Sequence, residues 1–269
     1  MVKIVRLKAK KAFTPTKIPG ADYVINQYVG CEHACKYCYA KFMCKWYNKW
    51  YNYGKWGGWV IVKENMPDLV KMENVKGEVY MSSVSDPYQP IEKELETTRK
   101  VLENMNKSIK LGILTKSDLV LRDIEIFKEF KDIEVGLSIN SYEGSTKKEV
   151  EPFSPNNKKR MEALKTLYEN GIKNYAFISP IIPHLTDVEE LIKETKSFTD
   201  FYWFEFLNLK ASGKEFREWL KQNYPESYNL ILNGAKVERY VKAVVGTMNR
   251  SGVSVRGICV HYPKIMVMK

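Results

Sequence analysis

An α/β fold, with parallel strands curled into a partial barrel, is what this sequence predicts. Three observations carry the prediction. Segments rich in β-formers alternate with segments of helical spacing, no linker, repeat or low-complexity stretch interrupts them, and the chemically distinctive residues fall just after β-rich segments. In order, residues 22–29 are β-rich and stop at Gly30. Residues 41–51 set Phe42, Trp46 and Trp50 at i, i+4 and i+8, with Met43, Tyr47 and Tyr51 beside them, so a helix is expected there, closed by Gly54, Gly57 and Gly58. Residues 78–82, 110–115, 134–139, 173–178 and 201–207 read as further strands. Between them, residues 92–105, 119–130, 156–170 (stopped by Gly171) and 188–196 read as helices. Such a run makes a partial (β/α)6 TIM-type barrel, extended at its C-terminus by helices and a last strand at 253–260. Chemistry in such a barrel sits at the C-terminal ends of the strands. The segment 31–38, the segment 83–90, Lys116 and Ser138 all fall there.

At 269 residues the chain is long enough for one large domain with a substantial core. The reading is a single domain over residues 1–269, with the barrel at about 20–210 and the extension at about 211–269. No apolar run approaches the ~18 residues of a membrane span, so no membrane role is expected. The basic residues 1–8 lack an apolar h-region, and five cysteines are an odd number, which argues against a disulfide framework. The expected compartment is the cytoplasm, with Cys44 and Cys259 as buried thiols. Lys and Arg total 43 against 32 acidic residues, a net charge of +11 that favours an anionic partner, nucleic acid first. The excess is mostly lysine, however, and lysines spread along a chain also make an ordinary solvated surface.

The most specific signal is CxxxCxxC in Gly30-Cys31-Glu32-His33-Ala34-Cys35-Lys36-Tyr37-Cys38-Tyr39-Ala40. Three thiolates this close can cap three irons of a cubane and leave the remaining iron open for chemistry, whereas an electron-transfer [4Fe–4S] cluster normally has a full set of cysteines. Zinc is the rival, giving a zinc-stabilised nucleic-acid-binding module. His33, Cys44, His184, Cys259 or His261 could complete a tetrahedral site, but none belongs to a second CxxC pair.

The motif, with an aromatic just before its last cysteine, resembles the CxxxCxφC signature of radical S-adenosylmethionine (SAM) enzymes. GCEHACKYCYA is similar to the opening motif of the spore photoproduct lyase-like branch. Weaker blocks follow in the order expected of that branch: Trp59-Val60-Ile61-Val62-Lys63-Glu64-Asn65, Ser85-Asp86-Pro87-Tyr88-Gln89-Pro90, Leu114-Thr115-Lys116-Ser117 with Arg122-Asp123, Glu151-Pro152 with Arg160, and Ile178-Ser179-Pro180. The resemblance implies a [4Fe–4S] cluster held by Cys31, Cys35 and Cys38, and SAM chelated to the open iron. It implies reductive cleavage of SAM to methionine and a 5′-deoxyadenosyl radical that abstracts hydrogen, with an electron donor such as a flavodoxin or ferredoxin. The leading expectation for the substrate is a nucleic acid or nucleotide, with a peptide or small metabolite as the alternative.

Roles follow by motif match. Tyr37 would pack near the adenine, Ser83, Ser85 and Asp86 would meet the SAM amino group, and Lys116 its carboxylate. Ser138 would face the ribose, and Ile178 and Ser179 would offer backbone to the adenine. Glu151 and Arg160 are expected as a structural ion pair beneath the rim, His33 as a backbone partner, and His184 as an exposed loop histidine. The aromatics from Phe42 to Trp59 are expected to pack in the core, their other use being to stack on bases. One departure stands out. In spore photoproduct lyase a cysteine at the end of the second strand returns hydrogen to the product radical; the matching residue here is Ser83, whose O–H bond is too strong for that role.

Overall fold

The computed structural model describes residues 2–51 and 53–262. The strands are β1 (Lys3–Leu7), β2 (Phe13–Pro15), β3 (Tyr23–Ile25), β4 (Tyr28–Val29), β5 (Trp59–Lys63), β6 (Glu78–Met81), β7 (Lys110–Thr115), β8 (Ile133–Ile139), β9 (Asn174–Ile181), β10 (Phe201–Phe206) and β11 (Val255–Cys259). The helices are α1 (Phe42–Tyr51), α2 (Met66–Met72), α3 (Glu92–Leu95), α4 (Thr97–Asn104), α5 (Ile124–Phe127), α6 (Gly144–Val150), α7 (Asn157–Glu169), α8 (Val188–Thr195), α9 (Lys214–Asn223), α10 (Pro225–Leu232) and α11 (Gly234–Arg250). The main sheet runs β2-β3-β6-β7-β8-β9-β10-β11 without closing on itself, so it is a partial barrel. Every neighbouring pair from β3 to β11 is parallel, and β2 adds an antiparallel edge. The six expected strands are thus present, and the last strand joins them as a seventh parallel member.

Alternation along the strands divides the side chains between two environments. Ile113, Val135, Leu137, Ala176, Ile178 and Phe204 belong to the main core beneath the helices. Glu134, Gly136, Ser138, Tyr175, Ser179 and Glu205 take the opposite, lumenal side. Tyr175 shows how the lumen is filled. Its ring lies so close over Gly136 that a Cβ there would sit 2.2 Å from it. Its hydroxyl donates to the Ile113 carbonyl at 3.0 Å, two strands away.

Several sequence expectations are corrected. Residues 22–29 are not one strand: the chain leaves the barrel at Asn26-Gln27, and β4 joins a separate sheet of order β1-β5-β4. The switch is held by side chains, Gln27 Nε2 donating to Thr98 at 2.8 Å and Asn26 Oδ1 accepting from the Ser83 amide at 2.8 Å. The helix expected at 92–105 breaks at Glu96, which is left-handed with φ 51°, because the buried Glu92 carboxylate caps the Thr98 and Arg99 amides at the start of α4. In place of a helix over 119–130, a 3-10 turn at Asp118–Asp123 precedes the short α5. Asp123 is drawn inward there to accept from Arg99 and Arg122 at 2.7 and 2.8 Å and from Tyr88 at 3.1 Å.

Helix α1 lies on the small sheet, where Met43, Cys44 and Tyr47 pack against Val29, Trp59 and Ile61. Phe42 and Trp46, expected in the core, are exposed; one face of a helix suffices to cover so narrow a sheet. The side chains of Trp50 and Tyr51 lie outside the described set. Cys44 and Cys259 are half-buried rather than buried. Residues of α9 and α11 such as Phe216, Leu220 and Val241 share the main core with the barrel helices. Among the described residues, no helix is long and apolar enough to cross a membrane.

Candidate active site

The cysteine segment leaves β4 and lies as a loop of tight turns. Cys31, Cys35 and Cys38 each accept, through the backbone carbonyl, from the amide three residues on, at 3.1 to 3.3 Å. The back of the loop is fastened to the rest of the molecule. Gln89 accepts from the Glu32 amide at 2.9 Å and donates to the Gly30 carbonyl at 3.2 Å, and the Lys36 amide donates to the Val150 carbonyl at 2.8 Å. Cys31 and Cys35 are buried and Cys38 is half-buried. Burial pushes all three thiols up, Cys31 further through Asp86 and Cys35, through Glu151, to about 12. Thiols in such a setting ionise against bound cations rather than against solvent.

The three cysteines share one loop, and among the described residues no group of three or more His, Cys, Asp or Glu is arranged to hold a metal ion. His33 is buried, its Nδ1 3.4 Å from the Phe153 carbonyl and its Nε2 3.5 Å from Asp86. Cys44 packs against the Trp59 cluster, and His261 is turned to Glu205 at 2.9 Å. None of them supplies the further donor that tetrahedral zinc requires. The expectation that His33 meets the backbone holds, with the Asp86 contact in addition.

Around the mouth, the ends of β6, β7 and β8 bring expected residues together. Lys116 Nζ donates to Ser138 Oγ at 3.0 Å and lies 5.8 Å from the centre of the Tyr37 ring. Burial would lower the Lys116 ammonium, but Cys35 and the Glu151 and Asp86 carboxylates outweigh it and raise it. Beneath this group runs the expected ion pair. Arg160, fully buried, donates to Glu151, to Ser154 Oγ at 2.7 Å and to the Ser138 carbonyl at 3.0 Å. Glu151 in turn accepts from the Tyr37 hydroxyl and from Asn140 at 2.9 Å. The pair therefore holds Tyr37 and Ser138 in place from below.

The three residues ending β6 divide by task. Asp86 accepts from Thr115 Oγ1 at 2.5 Å and from the Tyr88 and Lys116 amides at 2.9 Å, which makes it a strut between β6, β7 and the cysteine loop. Burial alone would raise its carboxyl; His33 and these donors hold it at about 2. Ser83 is engaged by Asn26 through both its amide and its hydroxyl, and its carbonyl accepts from Tyr39. Ser85 Oγ is buried without a partner, an unmet polar group at the position expected to meet SAM.

The far wall is formed by the ends of β9, β10 and β11. Ile178 sits inside β9, flanked in register by Ile139 and Phe204, with its side chain in the main core. Ser179 Oγ donates to Glu205 at 2.7 Å, and Glu205 also meets His261, so the ends of β9, β10 and β11 share one carboxylate. Sequence reasoning missed Glu205. Its signal was a lone acid in the aromatic run Phe201-Tyr202-Trp203-Phe204-Glu205-Phe206. Asn26 and Tyr39, which brace Ser83, were also missed, and nothing in their spacing pointed to them. His184 is exposed, as expected.

A loop with three cysteines thus lies at the mouth of a parallel half-barrel beside an ammonium, a buried unpaired hydroxyl and an aromatic ring. The family model described as the Radical SAM superfamily matches residues 25–195, and the chain belongs to that family. It is 64% identical to the uncharacterized protein MJ0683 of Methanocaldococcus jannaschii, over 97% of this chain and 98% of that one. It is 30% identical to the uncharacterized protein ORF301 of Acidianus two-tailed virus, over 74% of this chain and 71% of that one. Its fold is similar to a spore photoproduct lyase variant solved with AdoMet and dinucleoside spore photoproduct, with a TM-score of 0.65, 17% identity and coverage of 95% of this chain and 81% of the other. It is also similar to Streptococcus suis SuiB bound to S-adenosylmethionine, with a TM-score of 0.52, 15% identity and coverage of 91% and 53%.

Proposed function

We propose that this protein is a radical SAM enzyme of the spore photoproduct lyase-like branch that abstracts hydrogen from a nucleic acid or nucleotide. The observation that carries the reading is the placement of Lys116 and Ser138, hydrogen-bonded to one another, at the same barrel mouth as the loop of Cys31, Cys35 and Cys38. The three thiols would hold a [4Fe–4S] cluster. When bound, the cluster supplies the electron that cleaves SAM to methionine and a 5′-deoxyadenosyl radical. The chain's own residues bind and orient. Lys116 offers an ammonium to a carboxylate, Ser85 an unpaired hydroxyl to an amino group, Ser138 a hydroxyl to a ribose and Tyr37 a ring face to a base. Glu151 and Arg160 keep Tyr37 and Ser138 fixed, and burial keeps water from Cys31 and Cys35. The net charge of +11 supports an anionic substrate. An electron donor such as a flavodoxin or ferredoxin completes the reading, and five thiols with a need for a reductant suit the cytoplasm.

Anaerobic reconstitution tests it. Iron and sulfide should bind in about the ratio of one [4Fe–4S] cluster per chain. Replacing Cys31, Cys35 or Cys38 by Ala should abolish the cluster, while Cys44→Ala and Cys259→Ala keep it. Under a strong reductant the loaded protein should release 5′-deoxyadenosine and methionine slowly. Stoichiometric zinc without iron, or loss of the cluster on Cys44→Ala, overturns the reading.

A further inference from the structure

The stretch that leaves the cysteine loop carries two parallel stripes. Tyr39, Phe42 and Trp46 are 51%, 44% and 69% exposed, and at 3.6 residues per turn they fall on one face. Lys45, which is exposed, adjoins this stripe, while the Lys41 ammonium donates to the Lys36 carbonyl at 2.5 Å. The opposite face is already used, since Met43, Cys44 and Tyr47 pack on the small sheet. The aromatic stripe begins at the barrel mouth, where the Tyr39 hydroxyl donates to the Ser83 carbonyl at the end of β6. Its own sequence neighbourhood is basic, although Glu215 of α9 lies 3.7 Å from the Lys41 ammonium. From His33 to Lys63 the sequence has no Asp or Glu but has Lys36, Lys41, Lys45, Lys49, Lys55 and Lys63, so six of the chain's net +11 charges lie in this one segment. Exposed rings flanked by lysines are the chemistry of single-stranded nucleic acid binding, with bases on the rings and phosphates on the ammonium groups.

We propose that the Tyr39–Phe42–Trp46 face, with Lys45 beside it, is a platform that seats single-stranded nucleic acid and leads it to the barrel mouth. This rests on the nucleic-acid reading above. A second copy of the chain is the poorer occupant, because a two-fold contact through this face would set lysine against lysine. A duplex is poorer too, because its paired bases offer the rings no free faces.

The test is fluorescence anisotropy with labelled, mixed-sequence single-stranded DNA and RNA of about 12 nucleotides, within the usual site sizes, over a range of salt. The wild type should bind one or both, with log K falling by about 0.7 per phosphate contact against log salt. Trp46→Ala should weaken binding by about fivefold or more, the lower bound for a lost stacked base, and Trp46→Phe should restore most of it. Lys45→Glu should weaken binding and flatten the salt slope by about 0.7. Tyr168→Ala, which removes an exposed ring on α7, should change nothing. Trp46 makes so little buried contact that its variants keep the fold, which circular dichroism checks. No binding of either strand, binding indifferent to Trp46→Ala and Lys45→Glu, or tighter binding of the duplex overturns the proposal. So does a dimer that dissociates on Trp46→Ala. The measurement needs neither cluster nor SAM, so its failure leaves the iron and SAM assays standing, and their failure leaves it standing.

Discussion

The ammonium of Lys116 and the hydroxyl of Ser138 meet at 3.0 Å across the ends of β7 and β8, so two residues expected to bind one cofactor are in contact before it arrives. If both meet SAM as proposed, binding would exchange partners rather than recruit a distant charge. Lys116→Ala should weaken SAM binding by about 1.5–3 kcal/mol, the range for a hydrogen bond to a charged group. Equilibrium dialysis on the cluster-loaded protein measures this, and unchanged affinity removes Lys116 from the site.

The buried Glu151–Arg160 pair should govern acid stability. Burial would raise the Glu151 carboxyl, but Arg160 and Lys116 hold it down at about 2, well below the ordinary glutamate value of 4.5. A carboxyl depressed on folding contributes stability that is present in full above about pH 4.5 and is lost as pH falls toward 2. Arg160→Met, which strands a buried carboxylate, should cost about 3–5 kcal/mol at neutral pH. The gap from wild type should narrow at pH 3, as the wild type loses its own advantage. Urea unfolding at both pH values decides it; an equal penalty at both contradicts the assignment.

Gly136 should tolerate no side chain while Tyr175 crosses the lumen above it. A Cβ 2.2 Å from that ring forces a rearrangement, and Gly136→Ala should destabilise by about 1–3 kcal/mol, as overpacking does. Trimming the ring as well, in Gly136→Ala with Tyr175→Leu, should cost less than the two changes separately. Strictly additive losses in thermal melts argue that the ring moves aside freely.

At position 83 the prediction is negative. Ser83 Oγ is held by Asn26 and cannot return a hydrogen atom as a thiol does. Reduced enzyme given dinucleoside spore photoproduct should therefore give no efficient, clean repair. Clean turnover to thymine would hand the donor role to another group, with Cys259 first in line. It lies beside Glu205 in register, on the lumenal side.

What the sequence made legible were features written in local spacing. The cysteine loop, the strand ends at Lys116 and Ser138, and the β-rich cores of β6 to β10 are all of this kind. The Glu151–Arg160 pair was legible too, because its members lie close together in the chain. Pairings between distant segments were not legible. The small sheet joins β1 to β5 in parallel, and nothing near Lys3 announces Trp59 as its partner. The contact of Ser179 with Glu205 requires knowing the register of two neighbouring strands, which the alternation of each does not supply. Phe42 and Trp46 illustrate another limit. Periodicity places residues on a common stripe, but which stripe is covered depends on what the helix lies against, and here it lies on a sheet of only three strands.

The cysteine loop is also gripped from outside. Gly30 takes φ +86° with its absent Cβ 2.6 Å from the Trp59 carbonyl, and Gly57 presses so close to Ala34 that a Cβ would stand 2.4 Å from the methyl group. Both contacts come from β5 and the turn before it, and neither involves a metal. The polypeptide around the loop thus restricts the conformations it can take, and ordering it costs entropy. If the proposed cluster is loaded there, iron and sulfide would meet a loop whose course the surrounding backbone already restricts, so reloading after oxidative loss would require little new ordering.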